Sequence, residues 1–252
     1  KNLMSVFFMS EDAKKVYKQS RLPSMNREQV TQLLKGKWSF GGKVYQPRGT
    51  SGKSQPLARY GVIGAGVMGA GIGHLIVSKL IEKHTHVFMK DVKEEFVKKG
   101  MSHIEELLKK RKRLDLMKYV TGGIDMESLA KCDIVIEAAV EHMDIKKKIL
   151  QATEQEWINQ LQRERPGVDG ATLLRDAGKI FCTNTSTLSI TELASVSLNP
   201  ANVVGLHFFN PVHRMPLIEI VRGDKTSDET VVHCYNLSLQ LGKTPIVVND
   251  GP

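Results

Sequence analysis

The sequence predicts an α/β fold: a doubly wound, mostly parallel sheet with antiparallel strands at one edge, preceded by a helical and irregular linker. Three observations predict it. From about residue 58 onward, short apolar runs alternate with segments of helical periodicity. One run, Tyr60-Gly61-Val62-Ile63, enters the turn Gly64-Ala65-Gly66-Val67-Met68-Gly69, after which Ile72, Leu75, Ile76 and Leu80 recur at helical spacing. A second run, His86-Val87-Phe88-Met89-Lys90, ends in Asp91.

The turn fits G-x-G-x-x-G, and each glycine has its own task. Gly64 lets the chain turn sharply, Gly66 lets a pyrophosphate approach bare backbone, and Gly69 lets the helix lie close to the strand. Val67 and Met68 complete the cofactor-binding turn, where free N–H groups and the positive end of the helix face the phosphates. Gly71 and Gly73 keep that helix slim. Asp91 stands where a ribose hydroxyl pair is held, about 20 residues on. An acid there accepts from both hydroxyls and repels a 2′-phosphate, which favours NAD over NADP; Lys90 and Lys93 beside it soften the exclusion. Strand, turn, helix, strand and acid in this order describe a Rossmann-type unit. The bland reading is a helix-capping turn with a surface Asp.

The chain has 252 residues, 41% of them hydrophobic, enough for one large domain or a domain with an extension. Its three cysteines, Cys132, Cys182 and Cys234, have neither paired nor metal-ligand spacing, so no metal is expected and a reducing compartment suits them. No apolar run reaches the ~20 residues that span a bilayer. The formal net charge of +9 suits nucleic acid, anionic lipid or a polyanionic small molecule without choosing among them.

In chain order, residues 1–21 read as the tail of an amphipathic helix with Leu3, Met4, Phe7, Phe8 and Ala13 on one face. The start lacks an initiator methionine and reads as an internal cut. Residues 22–56, punctuated by Gly and Pro, read as a linker with one short helix near residues 27–34. The charged stretch 92–120, with Lys109–Arg113 in one run, reads as a solvated helical hairpin over Ile104, Leu107, Leu108, Leu114 and Leu116; a basic arm over a phosphate-bearing substrate is the functional alternative. Gly122-Gly123-Ile124-Asp125 reads as a turn into a short strand, and Asp133–Ala138 as a buried parallel strand. A helix follows with Ile145, Ile149, Leu150 and Trp157 inward; residues 159–178 read as an inserted loop, and the 78–86 connection as a second insertion. Strands are expected at 180–183, 203–206, 217–221 and 245–248, with a helix near 229–241 between the last two.

Ligands in such sheets sit beyond the carboxyl ends of the strands. The polar residues expected there are Glu141, Lys146, Asn184, Thr185, Ser186, His207 and Asn210, with Glu219 inside the next strand. A His after a strand is more often structural. Here Phe208 and Phe209 would shelter the ring, and a buried Glu219 needs a partner. A His207–Glu219 pair meets that need and fixes the ring tautomer, which points to acid–base chemistry.

Taken together, Gly64–Ile72, Glu137-Ala138-Ala139-Val140-Glu141, Asn184-Thr185-Ser186, Leu206–Val212 and Asp250-Gly251-Pro252 resemble the L-3-hydroxyacyl-CoA dehydrogenases, as found in the multifunctional fatty-acid β-oxidation proteins. The resemblance runs from about Ala58 to the end. It implies that His207 is the catalytic base, Glu219 its carboxylate partner and Ser186 the hydroxyl near the substrate's 3-oxygen. It also implies that Asp91, Glu141, Lys146, Ser186 and Asn210 contact NAD. Residues 1–56 are similar to the connector after an enoyl-CoA hydratase domain, leaving 57–252 as the NAD-binding dehydrogenase domain without the helical domain that follows in the family. The implied partners are an acyl-CoA substrate and the preceding hydratase domain. A thiolase subunit and the oligomeric state stay open, no nucleic acid is expected, and any membrane association would be peripheral. The location would be bacterial cytoplasm or mitochondrial matrix. Two rivals remain: an NADP-dependent hydroxyacid or 3-hydroxybutyryl-CoA reductase of the same fold, and a non-catalytic nucleotide-binding module.

Overall fold

A computed structural model describes residues 38–40, 43–45, 59–80 and 85–251. The expected helices at 1–21 and 27–34, and the centre of the 78–86 connection, lie outside these residues. The chain forms two compact units, Lys1–Lys53 and Ser54–Pro252.

In the first unit, β1 (Trp38–Phe40) pairs antiparallel with β2 (Lys43–Tyr45), Trp38 opposite Tyr45. The sequence reading had only linker here. Aromatic and β-branched residues around a Gly-Gly pair are a hairpin signal, and the dense glycine and proline punctuation obscured it.

The second unit is a sheet with helices between its strands. In order it contains β3 (Arg59–Ile63), α1 (Val67–Lys79), β4 (His86–Lys90), α2 (Glu94–Lys110), β5 (Val120–Gly123), β6 (Ile134–Glu137), α3 (Met143–Glu164) and α4 (Gly170–Ala177). Then come β7 (Ile180–Thr183), α5 (Ile190–Ala194), β8 (Val203–Phe208), β9 (Leu217–Arg222), α6 (Asp228–Gln240) and β10 (Thr244–Asn249). The eight strands run β10-β9-β8-β7-β6-β3-β4-β5. All neighbours are parallel except β8 and β9, so β9 and β10 run against the rest at one edge. The strand order reverses at β3, which lies between β4 and β6. Such a switch point opens a crevice at the strand ends, and the glycine turn enters it.

Several local readings are corrected. The pair Gly122-Gly123 ends β5 and does not lead into a strand. Tertiary pairing with β4 holds both glycines extended, against their turn preference. The "inserted loop" at 159–178 is mostly helix: α3 runs on to Glu164 and α4 covers Gly170–Ala177. Pro166 and Gly167 break the chain between them, and Asp169 caps α4 by accepting from the Thr172 N–H at 3.0 Å. In the stretch 92–120 the second arm is a short 3-10 helix, Leu114–Tyr119, and Leu114 is exposed. Ile145, in the first turn of α3, is also exposed, whereas Leu150 and Trp157 are buried.

One core layer gathers Trp157, Leu150, Phe181, Leu129, Leu173 and Ile190. The Trp157 indole N–H donates to the Leu129 carbonyl at 3.1 Å, so the largest buried side chain among the described residues leaves no unpaired donor. On the other face α1 is slim where it was expected to be. A β-carbon at Gly71 would stand 3.0 Å from Val212, and one at Gly73 3.1 Å from Ile104.

Candidate active site

The glycine turn is built as its spacing predicts. Gly64 has φ +98°, and a β-carbon there would lie 2.4 Å from the Ala138 carbonyl oxygen at the end of β6. A β-carbon at Gly69 would lie 1.7 Å from the Gly64 carbonyl oxygen, so helix and turn touch backbone to backbone. At Gly66 a β-carbon would meet nothing within 4 Å. Gly66 is also the N-cap of α1, with no side-chain cap and no acid in the first turn. Open space before uncapped N–H groups suits a phosphate. Val67 is exposed here and Met68 lines the adjoining cavity.

Asp91 follows β4, and its Oδ2 accepts from the Ala65 N–H at 2.7 Å while Oδ1 accepts from the Val92 N–H at 2.6 Å. The acid is thus locked to the turn, and each oxygen keeps a lone pair for a ribose hydroxyl. Gly100 of α2 packs against the same turn: a β-carbon there would be 2.6 Å from the Ala65 carbonyl oxygen. Sequence reading missed it, because a lone glycine within a charged helix carries no pattern. These residues fit a dinucleotide: the turn for its phosphates, Asp91 for its ribose.

Beside the turn is a cavity of about 370 Å3 lined by Met68, Ala138, Ala139, Glu141, Lys146, Asn184, Ser186, His207, Phe208, Phe209 and Asn210. His207 does not follow β8, as the sequence suggested, but lies within it, because antiparallel pairing with β9 extends the strand to Phe208. The register sets His207 directly opposite Glu219, and the Nδ1–Oε2 distance is 2.8 Å. Both side chains are four-fifths buried. The Phe209 ring lies 4.5 Å from the imidazole, centroid to centroid. With Nδ1 held by the carboxylate, Nε2 is the nitrogen left for chemistry.

The Ser186 loop is tied down from two sides. Glu141 Oε1 accepts from the Thr185 hydroxyl at 2.5 Å and the Ser186 N–H at 3.0 Å. Asp250 accepts from the Ser189 hydroxyl and the Thr191 N–H at the start of α5. Asn184 turns inward, its Oδ1 accepting from the Phe208 N–H at 2.8 Å, and so links β7 to the residue after the histidine. Asn210 and Ser186 are exposed at the cavity. Burial alone would raise the Glu141 carboxyl. Its contacts with Thr185, Ser186 and Lys146 outweigh that, and it titrates below its ordinary 4.5. A depressed folded value means stability that is present above the ordinary value and lost as pH falls through the folded one. The melting-temperature advantage of the native protein over E141Q is therefore expected to shrink on acidification; a constant difference would detach Glu141 from the loop.

Lys146 is 1% exposed and does not stand free. Its ammonium donates to both oxygens of Glu137, at 2.7 and 2.9 Å, and lies 3.4 Å from Glu141. Glu137 entered the sequence reading only as part of a motif. The signal was present: a carboxylate closing the apolar run Ile134-Val135-Ile136 must be paired if buried, the argument already applied to Glu219.

The comparisons agree with this geometry. The family model described as 3-hydroxyacyl-CoA dehydrogenase, NAD binding domain, matches residues 59–160 and 171–251. The gap between these ranges falls at the break between α3 and α4. Among solved structures, (S)-3-hydroxybutyryl-CoA dehydrogenase from Ralstonia eutropha is 34% identical, with TM-score 0.65, over 78% of this chain and 65% of its own. The 3-hydroxybutyryl-CoA dehydrogenase of Escherichia coli K12 is 31% identical, with TM-score 0.63, over 78% of this chain and 39% of its own. The chain therefore spans less than two thirds of the length of either. The dehydrogenase part of multifunctional enzyme 1 from C. elegans shares the fold at 22% identity and TM-score 0.60, over 98% of this chain and 50% of its own.

Proposed function

Because this chain belongs to the 3-hydroxyacyl-CoA dehydrogenase family, by way of its NAD-binding domain, we propose that it carries the base and the cofactor site for reversible oxidation of an L-3-hydroxyacyl-CoA to the 3-ketoacyl-CoA. The observation that carries this reading is the His207–Glu219 pair at 2.8 Å, opening on the cavity beside the glycine turn.

NAD, when bound, supplies the acceptor for the hydride leaving C3. The chain's own residues do the rest. Gly64, Gly66 and Gly69 with the first turn of α1 hold the phosphates, and Asp91 holds the ribose. His207 Nε2 takes the proton of the 3-hydroxyl, and in the reverse direction returns it to the ketone oxygen. Glu219 keeps the proton on Nδ1 in the resting ring and faces the imidazolium once it forms. Ser186 and Asn210 orient the reacting groups, a positioning contribution. Phe209, 4.5 Å from the imidazole centroid, shelters one side of the ring from water.

The test is an NAD-linked assay of the complete protein with L-3-hydroxyacyl-CoA, run beside NADP. Turnover with NAD is expected; NADP-only turnover, or none, would overturn the reading. E219Q is expected to lower kcat by about 10- to 100-fold, within the range of general acid–base contributions, and to change the pH dependence of the rate. An unchanged rate and profile would remove the pair from the mechanism. The family motifs further support a multifunctional β-oxidation protein with a hydratase-type domain ahead of residue 1, acting in bacterial cytoplasm or mitochondrial matrix. A short-chain substrate is the second reading, favoured by the identity with two 3-hydroxybutyryl-CoA dehydrogenases. Rates across acyl-chain lengths separate the two.

A further inference from the structure

Behind the cavity wall lies a group of charges that proton transfer does not use. Glu137, the last residue of β6, is fully buried. Its carboxylate accepts from the Ala139 N–H at 2.6 Å, from the Thr183 hydroxyl at 2.6 Å and from Lys146. Thr183 is its register partner on β7, so the sheet itself aims that hydroxyl. Three donors thus converge on this carboxylate. Lys146 alone carries positive charge here, and Glu141 meets it from the rim at 3.4 Å. Two carboxylates share one ammonium. Neither acid is needed twice: Glu141 by itself would neutralise Lys146. Glu137 therefore leaves the trio with one net negative charge against a cavity whose lining otherwise carries only His207, four-fifths buried, as a titratable group.

We propose that Glu137 is a positioning and specificity residue that sets the preference of the site for the oxidised over the reduced form of its nicotinamide cofactor. The inference rests on the reading that the cavity takes the nicotinamide end of NAD. The two cofactor forms share phosphates, riboses and adenine, and differ in the ring: oxidised it carries a positive charge, reduced it is neutral. Contacts to the shared parts cancel in the ratio of the two affinities, and the net charge beside the ring does not. Glu137 and Lys146 are buried, 0% and 1% exposed, so solvent screens Glu137 poorly, whereas Glu141 at the rim is exposed. Glu137 also fixes the floor mechanically, since its bond to the Ala139 N–H holds the chain next to Ala138, whose carbonyl abuts Gly64.

The experiment titrates the complete protein with oxidised and with reduced cofactor separately, without substrate, and compares native with E137Q. The amide keeps the size of the side chain and removes one negative charge. The ratio of the dissociation constant for NAD to that for NADH is expected to rise at least about threefold, a conservative figure for one unit charge across a partly shielded site. A purely structural role would weaken both forms by the same factor, and that outcome, or an unmoved ratio, overturns the proposal. Should E137Q fail to fold, two other variants decide. E137Q/K146Q removes one charge of each sign, and is expected to keep the native ratio. E141Q removes the trio's other negative charge, and is expected to raise the ratio as E137Q would. A shifted ratio in the first or an unmoved one in the second overturns the proposal. Loss of all binding of both forms in the native protein would instead sink the functional reading on which it rests.

Discussion

Replacing His207 by Gln in the complete protein is expected to cut kcat by about 10^3, in the middle of the range for a positioned general base, while the dissociation constant for NAD stays within about twofold, since no group moves in the phosphate or ribose sites. The argument is geometric. His207 is held by one contact, Nδ1 to Glu219, and the rest of its ring faces the cavity and Phe209. Gln has an amide that can donate to Glu219, so the carboxylate is not left buried without a partner, a loss that would confuse stability with chemistry. What Gln lacks is a nitrogen that can take and return a proton. Single-turnover kinetics with saturating NAD would separate the chemical step from binding. A loss of only a few-fold would show that another group moves the proton.

Among the described glycines, Gly69→Ala is expected to be the most damaging replacement by alanine. Its methyl would sit 1.7 Å from the Gly64 carbonyl oxygen, and backbone, unlike a side-chain tip, cannot swing aside. Turn and helix would have to part, at a cost of about 3 kcal/mol or more, the upper range for overpacking. For a unit of this size that lowers Tm by roughly 6–12 °C. Gly66→Ala is the contrasting case. It meets nothing within 4 Å and has φ −71°, which any residue adopts. Stability is expected to change by under about 1 kcal/mol, while NAD affinity falls at least about tenfold because the methyl takes the space of the phosphate approach. Thermal melts and NAD titrations of both variants check the pair. A stable Gly69→Ala protein, or a Gly66→Ala protein with native affinity, would contradict the geometry of the turn.

The site was unevenly legible. Gly64, Gly66, Gly69 and Asp91 could be read because a phosphate turn is a local device: its parts lie within about 30 residues, and spacing records it. His207 and Glu219 could be paired because a carboxylate in an apolar strand needs a partner, while their facing each other in register across antiparallel strands, 12 residues apart, is set by the sheet. Glu137 and Lys146 obey the same rule, nine residues apart, and Glu137's role was missed because its strand end was read for burial alone. The hairpin at Trp38–Tyr45 and the helices within 159–178 were lost where glycine and proline outweighed periodicity.

By itself the sequence determined the class of fold, the dinucleotide turn and the acid that serves it, because alternation of strand and helix and the steric demand for bare backbone are written at short range. Only the tertiary structure decided the strand register that joins the expected His207–Glu219 pair, and the partners of Glu137. The reversal of β9 against β8 sets His207 opposite Glu219, and the alignment of β6 with β7 sets Thr183 beside Glu137. Register is a property of two strands pressed together by a shared core, and no single stretch of chain contains it.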